Sequence, residues 1–324
     1  MKKKILLLLN ILLIFPINIY AYSNKVIIGG ETIGIEVKSS GIYVVGFYEV
    51  NGKNPGIEAG FKKGDIIKKI NDKEVETLLN LNNILVNEEE YSFEIERNKK
   101  TVTIKMTPKE ENNVIKTGLY VKDTINGIGT LSYIDPETKI FGSLGHEILE
   151  STSKEKFEID KGNIYKAEVS SIKKSEGNIT GEKNASINKN EIIGTITKNE
   201  ISGIYGKFEE IERNNEIKEV ATKEEIRKGK ATIRTVINKD KIEEYNIEII
   251  SINEQEPTKN ILFKVTDKSL LEKTGGIIQG MSGSPIIQND KIIGVVNYVI
   301  IDDETKGYGI FITTMLEEGD KINS

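Results

Sequence analysis

GMSGSPIIQNDKIIGVVNYVII, residues 280–301, reads as a tight turn, a strand, a second turn and a second strand. Gly280 and Gly283 bracket Ser282, and Pro285 follows. Glycine lacks the Cβ that would crowd such a turn, so the hydroxyl stands clear of the backbone and a substrate can come close. Ser284–Gln288 and Ile292–Ile301 are rich in β-branched residues and flank Asn289-Asp290-Lys291, which predicts a hairpin. A serine on such a turn is a nucleophile candidate. The N–H groups of Gly280 and Ser282 are natural donors to an oxyanion. The stretch also fits a plain Gly/Ser turn between strands. It is not a phosphate loop, because residues 275–284 contain no lysine.

Upstream, the same texture continues. Ala231–Ile237, Ile242–Ile252 and Ile261–Val265 are β-branched runs between turn signals. Ile128–Ile134, the turn Asp135-Pro136-Glu137-Thr138 and Lys139–Ser143 form another hairpin, which delivers Gly145-His146 at a strand end. Residues 150–225 are dense in Lys, Glu, Asn and Gly and leave room for strands with long connections. No long amphipathic helix interrupts residues 118–324, which favours a barrel or a sandwich.

His146 is the only histidine in 324 residues. It is therefore the only imidazole available as a base for Ser282, and its usual pKa of about 6.5 suits that task near neutrality. A third group must orient the ring. The aspartates between the two are Asp160, Asp240 and Asp267, and the first two sit in lysine-flanked, solvated contexts. Asp267 ends a predicted strand 15 residues before Ser282. It also reads as a helix N-cap before Lys-Ser-Leu-Leu-Glu, and the sequence leaves the two readings level.

The first third has a different grammar. Lys25–Ile28, Ile33–Val37 and Ile42–Tyr48 read as strands. Pro55 opens a short helical turn that Gly60 can end. Ile66–Ile70 is a strand, Glu76–Val86 has helical spacing, and Tyr91–Glu96 with Thr101–Met106 closes the unit. Residues 109–113 look like a linker. Gly56–Asn71 resembles the helix–turn–strand segment of PDZ domains. Thr32, Ile33, Gly34 and Ile35 resemble the loop whose N–H groups receive a terminal carboxylate, with a peptide adding as a strand beside Ile33–Val37. The expected occupant is a free C-terminus or the chain's own N-terminal segment.

Lys2, Lys3 and Lys4 precede an apolar stretch to Phe15, with small residues at Ala21 and Ser23. This resembles an export signal, or a retained anchor, over residues 1–23. Its removal would change the net charge from −5 to −8. The absence of cysteine excludes disulfides and thiol catalysis, and one histidine excludes a multi-histidine metal site. No cofactor or metal is expected, and the interspersed charge argues against a nucleic-acid partner. Two domains are expected, at residues 24–110 and 111–324.

Gly127–Thr130 through His146-Glu147-Ile148, Val265-Thr266-Asp267 through Pro285, and Gly307-Tyr308-Gly309 together resemble the SpoIVB peptidase family (stage IV sporulation protein B). The resemblance implies a mainly β chain, a PDZ-like α+β domain followed by a chymotrypsin-like double β-barrel. It assigns His146 as base, Asp267 as orienting acid and Ser282 as nucleophile. It further implies export to the space between two membranes of a sporulating cell, cleavage of a membrane-anchored regulator, and self-processing. Family members carry a histidine in the strand after the nucleophile, where this chain has Asn297-Tyr298. A rival expectation is a non-catalytic PDZ adaptor whose peptidase-like domain only binds.

Overall fold

The structure is a computed structural model describing residues 22–86, 89–152, 154–177, 179–211 and 215–322. The expected signal segment lies outside the described residues, apart from Tyr22 and Ser23. The chain opens with β1 (Lys25–Ile28) and β2 (Thr32–Phe47). Helix α1 (Pro55–Ala59), β3 (Ile66–Ile70), β4 (Lys73–Glu74), α2 (Leu78–Ile84), β5 (Tyr91–Arg97) and β6 (Lys100–Met106) follow. A small hairpin, β7 (Lys109–Glu111) with β8 (Val114–Lys116), leads to β9 (Leu119–Ile134) and β10 (Ile140–Ser143). Next come β11 (Lys161–Lys173), β12 (Glu182–Glu200), β13 (Gly203–Phe208) and β14 (Ile217–Val220). The last part holds β15 (Gly229–Val236), β16 (Ile242–Ile252), β17 (Ile261–Val265) and α3 (Lys268–Thr274). It ends with β18 (Pro285–Gln288), β19 (Lys291–Val299), β20 (Lys306–Phe311) and α4 (Ile312–Asp320).

Two rings of antiparallel pairs organise these strands. In the first, β2 pairs with β9, β9 with β10, β10 with β13, β13 with β12, β12 with β11, and β11 with β2 again. In the second the circuit is β15, β16, β17, β20, β19, β18 and back to β15. Closure leaves no strand edge inside either ring. Alternation fills each barrel from within. Ile33, Ile35 and Val37 of β2 enter the first core with Phe141, Ile164 and Ile196. Tyr245, Ile247 and Ile249 of β16 enter the second with Ile233, Phe263 and Ile286. Between the barrels, β1 pairs with β9 and β14, β14 runs parallel to β19, and α4 buries Ile312, Met315 and Leu316.

The PDZ-like unit is inserted between β2 and β9. Its core includes Ile42, Val44, Ile67, Leu81, Phe93, Ile95 and Leu119. Asn54 caps α1 by accepting from Ile57 N, and Gly60 ends it at φ 95°. Thr77 caps α2 through Asn80 N. Buried Asp65 accepts from Arg97 Nε at 2.6 Å and Nη2 at 2.7 Å, and Arg97 also reaches Gly60 O. Strand pairing divides the chain differently from the expected boundary at residue 110. β2 is one strand with an irregularity between Lys38 and Tyr43, so its first half belongs to the barrel and its second to the insert.

This corrects the expected carboxylate loop. Ile33, Gly34 and Ile35 pair with β9 on one side and with β11 on the other, and Thr32 pairs with Thr130. With both edges hydrogen-bonded, no further strand can add beside Ile33–Val37. The strand that lies against α2 is β9, where Asp123 Oδ2 accepts from Leu78 N at 2.9 Å. From Leu119 to Asn126 the outer edge of β9 has no strand partner among the described residues.

Candidate active site

β10 ends at Ser143, and the chain then makes two left-handed residues, Leu144 (φ 70°) and Gly145 (φ 72°). A non-glycine residue there is strained, and the buried Leu144 side chain in the first core holds it. Gly145 is obligatory for a second reason. A Cβ on it would lie 2.9 Å from Val295 and 3.1 Å from Asn297 of β19. The turn thus presses onto the second barrel and presents His146 beside β19. The imidazole stacks on Tyr298, with ring centroids 5.5 Å apart. Its Nδ1 lies 2.8 Å from Glu147 O. A carbonyl only accepts, so Nδ1 carries the proton and Nε2 is left as the basic nitrogen. Burial lowers the imidazole pKa from its usual value, against the opposing pull of the Glu147 carbonyl and carboxylate.

The serine turn arrives from the other side. Gly280 and Gly283 adopt φ 92° and 94°. A Cβ on Gly283 would sit 2.1 Å from Thr130 O and 2.6 Å from Leu144 N, so the serine and histidine turns touch through their backbones. Thr130 of β9 clasps the serine turn twice, its N–H donating to Ser282 O at 3.0 Å and its hydroxyl to Gly280 O at 2.8 Å. Ser143 Oγ in turn donates to Thr130 O at 2.6 Å. Ser282 Oγ donates to Asn297 O at 3.3 Å. Ser284 is fully buried with an unpartnered hydroxyl, whereas Ser282 is half-buried. Only Ser282 is within reach of a substrate.

His146 and Ser282 therefore converge on one short segment, Asn297-Tyr298. The pairing of β19 with β20 slips between Val296 and Tyr298, leaving Asn297 in a bulge that turns its carbonyl to Ser282. Asn297 Nδ2 donates to Thr258 O at 2.7 Å, which anchors the bulge. Backbone N–H groups of Met281, Gly283 and Ser284 have carbonyl acceptors. Among the described residues those of Gly280 and Ser282 have none, so both remain free to donate.

Asp267, expected as the orienting carboxylate, is placed in a helix cap. Its side chain caps α3, accepting from Ser269 N at 3.0 Å, Leu270 N at 3.1 Å and Ser269 Oγ at 2.9 Å. Asn246 N and Nδ2 add bonds of 3.3 Å. Burial would raise its pKa, but these donors outweigh it and hold the carboxylate below its usual value. The helix cap won over the imidazole because α3 begins one residue later and offers its free N–H groups at once. Sequence reading missed Thr130, Glu147 and Tyr298 as site-builders. Thr130 and Glu147 lie within the segments that carry the family resemblance and Tyr298 at the departure from its pattern, but nothing in the sequence gave any of them a role.

Residues 113–316, more than half of the chain, match the SpoIVB peptidase S55 family. The chain belongs to that family. Residues 31–107 match a PDZ domain. The chain is thus a serine peptidase with a PDZ domain ahead of the family's peptidase region, and peptides or proteins are its substrates or ligands. Among solved structures it is similar to the Rv3671c protease in an inactive form, with 14% identity, TM-score 0.36, and coverage of 61% of this chain and 85% of that one. An inactive serine-to-alanine mutant of Rv3671c from M. tuberculosis H37Rv gives 14% identity, TM-score 0.33, and coverage of 60% and 82%. No curated protein matches the chain.

Proposed function

We propose that this S55 peptidase is an exported signalling endopeptidase of sporulation that cleaves a membrane-anchored regulator and itself, with Ser282 as nucleophile and His146 as general base. The observation that carries the catalytic reading is the convergence of the only imidazole and the half-buried serine on Asn297-Tyr298. With substrate bound, rotation about the Cα–Cβ bond of Ser282 exchanges Asn297 O for His146 Nε2. Oγ attacks the scissile carbonyl carbon as its proton passes to Nε2. The carbonyl oxygen becomes an oxyanion held by the N–H groups of Gly280 and Ser282. The imidazolium then protonates the leaving amine, and water repeats the sequence on the acyl-enzyme. Glu147 O takes the orienting part that a carboxylate plays in a triad.

For the PDZ unit, the reading is that an extended peptide adds to the open edge of β9 beside α2. The forespore intermembrane space is the proposed location, resting on the family and on the lysine-led apolar start of the chain. The test compares wild type with Ser282→Ala, by intact mass after purification and by cleavage of exported proteins from a sporulating host. The expected result is self-cleavage and substrate cleavage in wild type only. Equal products from both proteins would refute it. A protein that binds peptides but never cleaves would support the adaptor instead.

A further inference from the structure

Lys183 is the first barrel's contribution to the far side of the serine turn. The β11–β12 hairpin extends out of its barrel and lays Gly181–Lys183 along residue 279. Gln279 N donates to Gly181 O at 2.9 Å, and Lys183 N donates to Gln279 O at 3.0 Å. The Lys183 side chain then runs beneath the turn. A Cβ built on Gly280 would lie 3.2–3.3 Å from its Cβ, Cγ and Cδ. Its ammonium donates to Thr235 Oγ1 at 3.0 Å, inside the wall of the second barrel. Lys183 is 2% exposed and Thr235 is 0% exposed.

We propose that Lys183 is a positioning residue of the oxyanion loop: its stem, packed beneath Gly280 and anchored by the buried ammonium on Thr235, keeps the N–H groups of Gly280 and Ser282 set for the developing negative charge. The inference rests on Ser282 being the nucleophile. Its physical basis is an uncompensated charge. Among the described residues no carboxylate pairs with Lys183. Neighbouring Glu182 is taken by Lys173 at 3.7 Å. On β15, Arg234 bonds Gly29 O and pairs with Glu216. On β16, Glu243 bonds Lys241 and Tyr245. Residues 279–281 carry no charge. Burying an ammonium with a single neutral acceptor is unfavourable, and methionine would fill the same space without that penalty. The stem runs beneath Gly280, so the charge it carries lies on the side of the loop whose N–H groups would hold an oxyanion, and a charge that is offset only in the transition state lowers a barrier rather than a ground state. Burial also brings the Lys183 pKa down to about 7, so the required charge is lost just above neutrality.

Lys183→Met keeps the stem and removes the charge. The experiment measures kcat and KM from pH 5 to 9 on full-length protein, with melting temperature alongside. Wild type should show a bell, rising through His146 and falling through Lys183. The variant should lose about 10–100-fold in kcat, somewhat less than removal of a whole oxyanion donor. Its KM should stay unchanged, its alkaline fall should vanish, and its melting temperature should rise. Unchanged kcat with the alkaline fall intact would overturn the proposal. Thr235→Val covers a failure of Lys183→Met to fold. Without Thr235 Oγ1, its one acceptor among the described residues, the ammonium is disfavoured, so the alkaline fall should move to lower pH, and an unmoved profile also overturns the proposal. Ser282→Ala run in parallel separates the two readings. If it still cleaves, the catalytic reading falls. If it is inactive while Lys183→Met behaves as wild type, only the role of Lys183 falls.

Discussion

The two barrels share one circuit of six antiparallel strands but use their strands differently. In the second, strands are short and stay inside the ring; the longest is β16, with 11 residues. In the first, β2 and β9 have 16 residues each, β11 has 13 and β12 has 19, and all four leave the ring. β2 and β9 run into the PDZ insert, while the β11–β12 hairpin reaches the serine turn. The second barrel houses Ser282. The first supplies His146 and most of what holds the serine turn in place, through Thr130, Leu144 and Lys183. One strand, β9, borders the open PDZ edge at Leu119 and grips Ser282 at Thr130.

Breaking that division of labour at its centre gives the largest effect. Ser282→Ala should lower kcat about a million-fold, as loss of the nucleophile does in such sites, with melting temperature unchanged. Next is the insert. Arg97→Ala strands the buried Asp65 carboxylate and should destabilise the PDZ unit by about 3–5 kcal/mol, seen as an early step in thermal or urea unfolding. A single transition would show that insert and barrel unfold together along β2 and β9. Thr130→Val removes one hydroxyl from Gly280 O. It should cost about 1–3 kcal/mol in transition-state stabilisation, read as a fall in kcat at constant KM. The smallest effect sharpens the contrast most. Asp267→Ala should cost about 1 kcal/mol of stability through the lost cap and leave kcat within a few-fold. A loss near ten-thousand-fold, the scale seen when a triad aspartate is replaced, would restore Asp267 to the imidazole.

The pH dependence of stability follows the same logic. The folded pKa of Lys183 is about 7, against an ordinary 10.5. Between those values the unfolded chain holds a proton that the folded chain does not, so this group makes stability rise with pH across that window. The stabilisation of Lys183→Met over wild type should therefore be greatest at and below pH 7 and disappear above about 10.5.

The second barrel was legible because its strands are β-branched runs between turn signals. β16 and β17 fall where the pattern put them. Much of the first barrel was not. Its longest strands are solvated on one face, so β11 and β12 read only as a charged stretch with room for strands, and their bounds did not show. Lys38-Ser39-Ser40-Gly41 read as a break, yet β2 passes through it by an irregular register. That slip made Thr32–Ile35 read as an open docking edge, whereas Ile33–Ile35 are paired on both sides. Within the site, His146 and Ser282 stood out because one is unique and the other sits between glycines. Asp267 was ambiguous because a cap and a catalytic carboxylate look alike until the helix N–H groups are seen. Lys183 carried no signal at all: among so many lysines, only long-range packing distinguishes the one that is buried.

The proposed catalysis depends on activation of Ser282 by His146 at the Asn297-Tyr298 segment. Its most direct test is labelling of the full-length protein with a fluorophosphonate, followed by peptide mass mapping, in wild type and His146→Gln. The account expects one adduct, on the peptide containing Ser282, whose rate rises with pH through an imidazole titrating below its usual 6.5 and collapses in the variant. An adduct on another residue, or equal labelling with and without the imidazole, would contradict it.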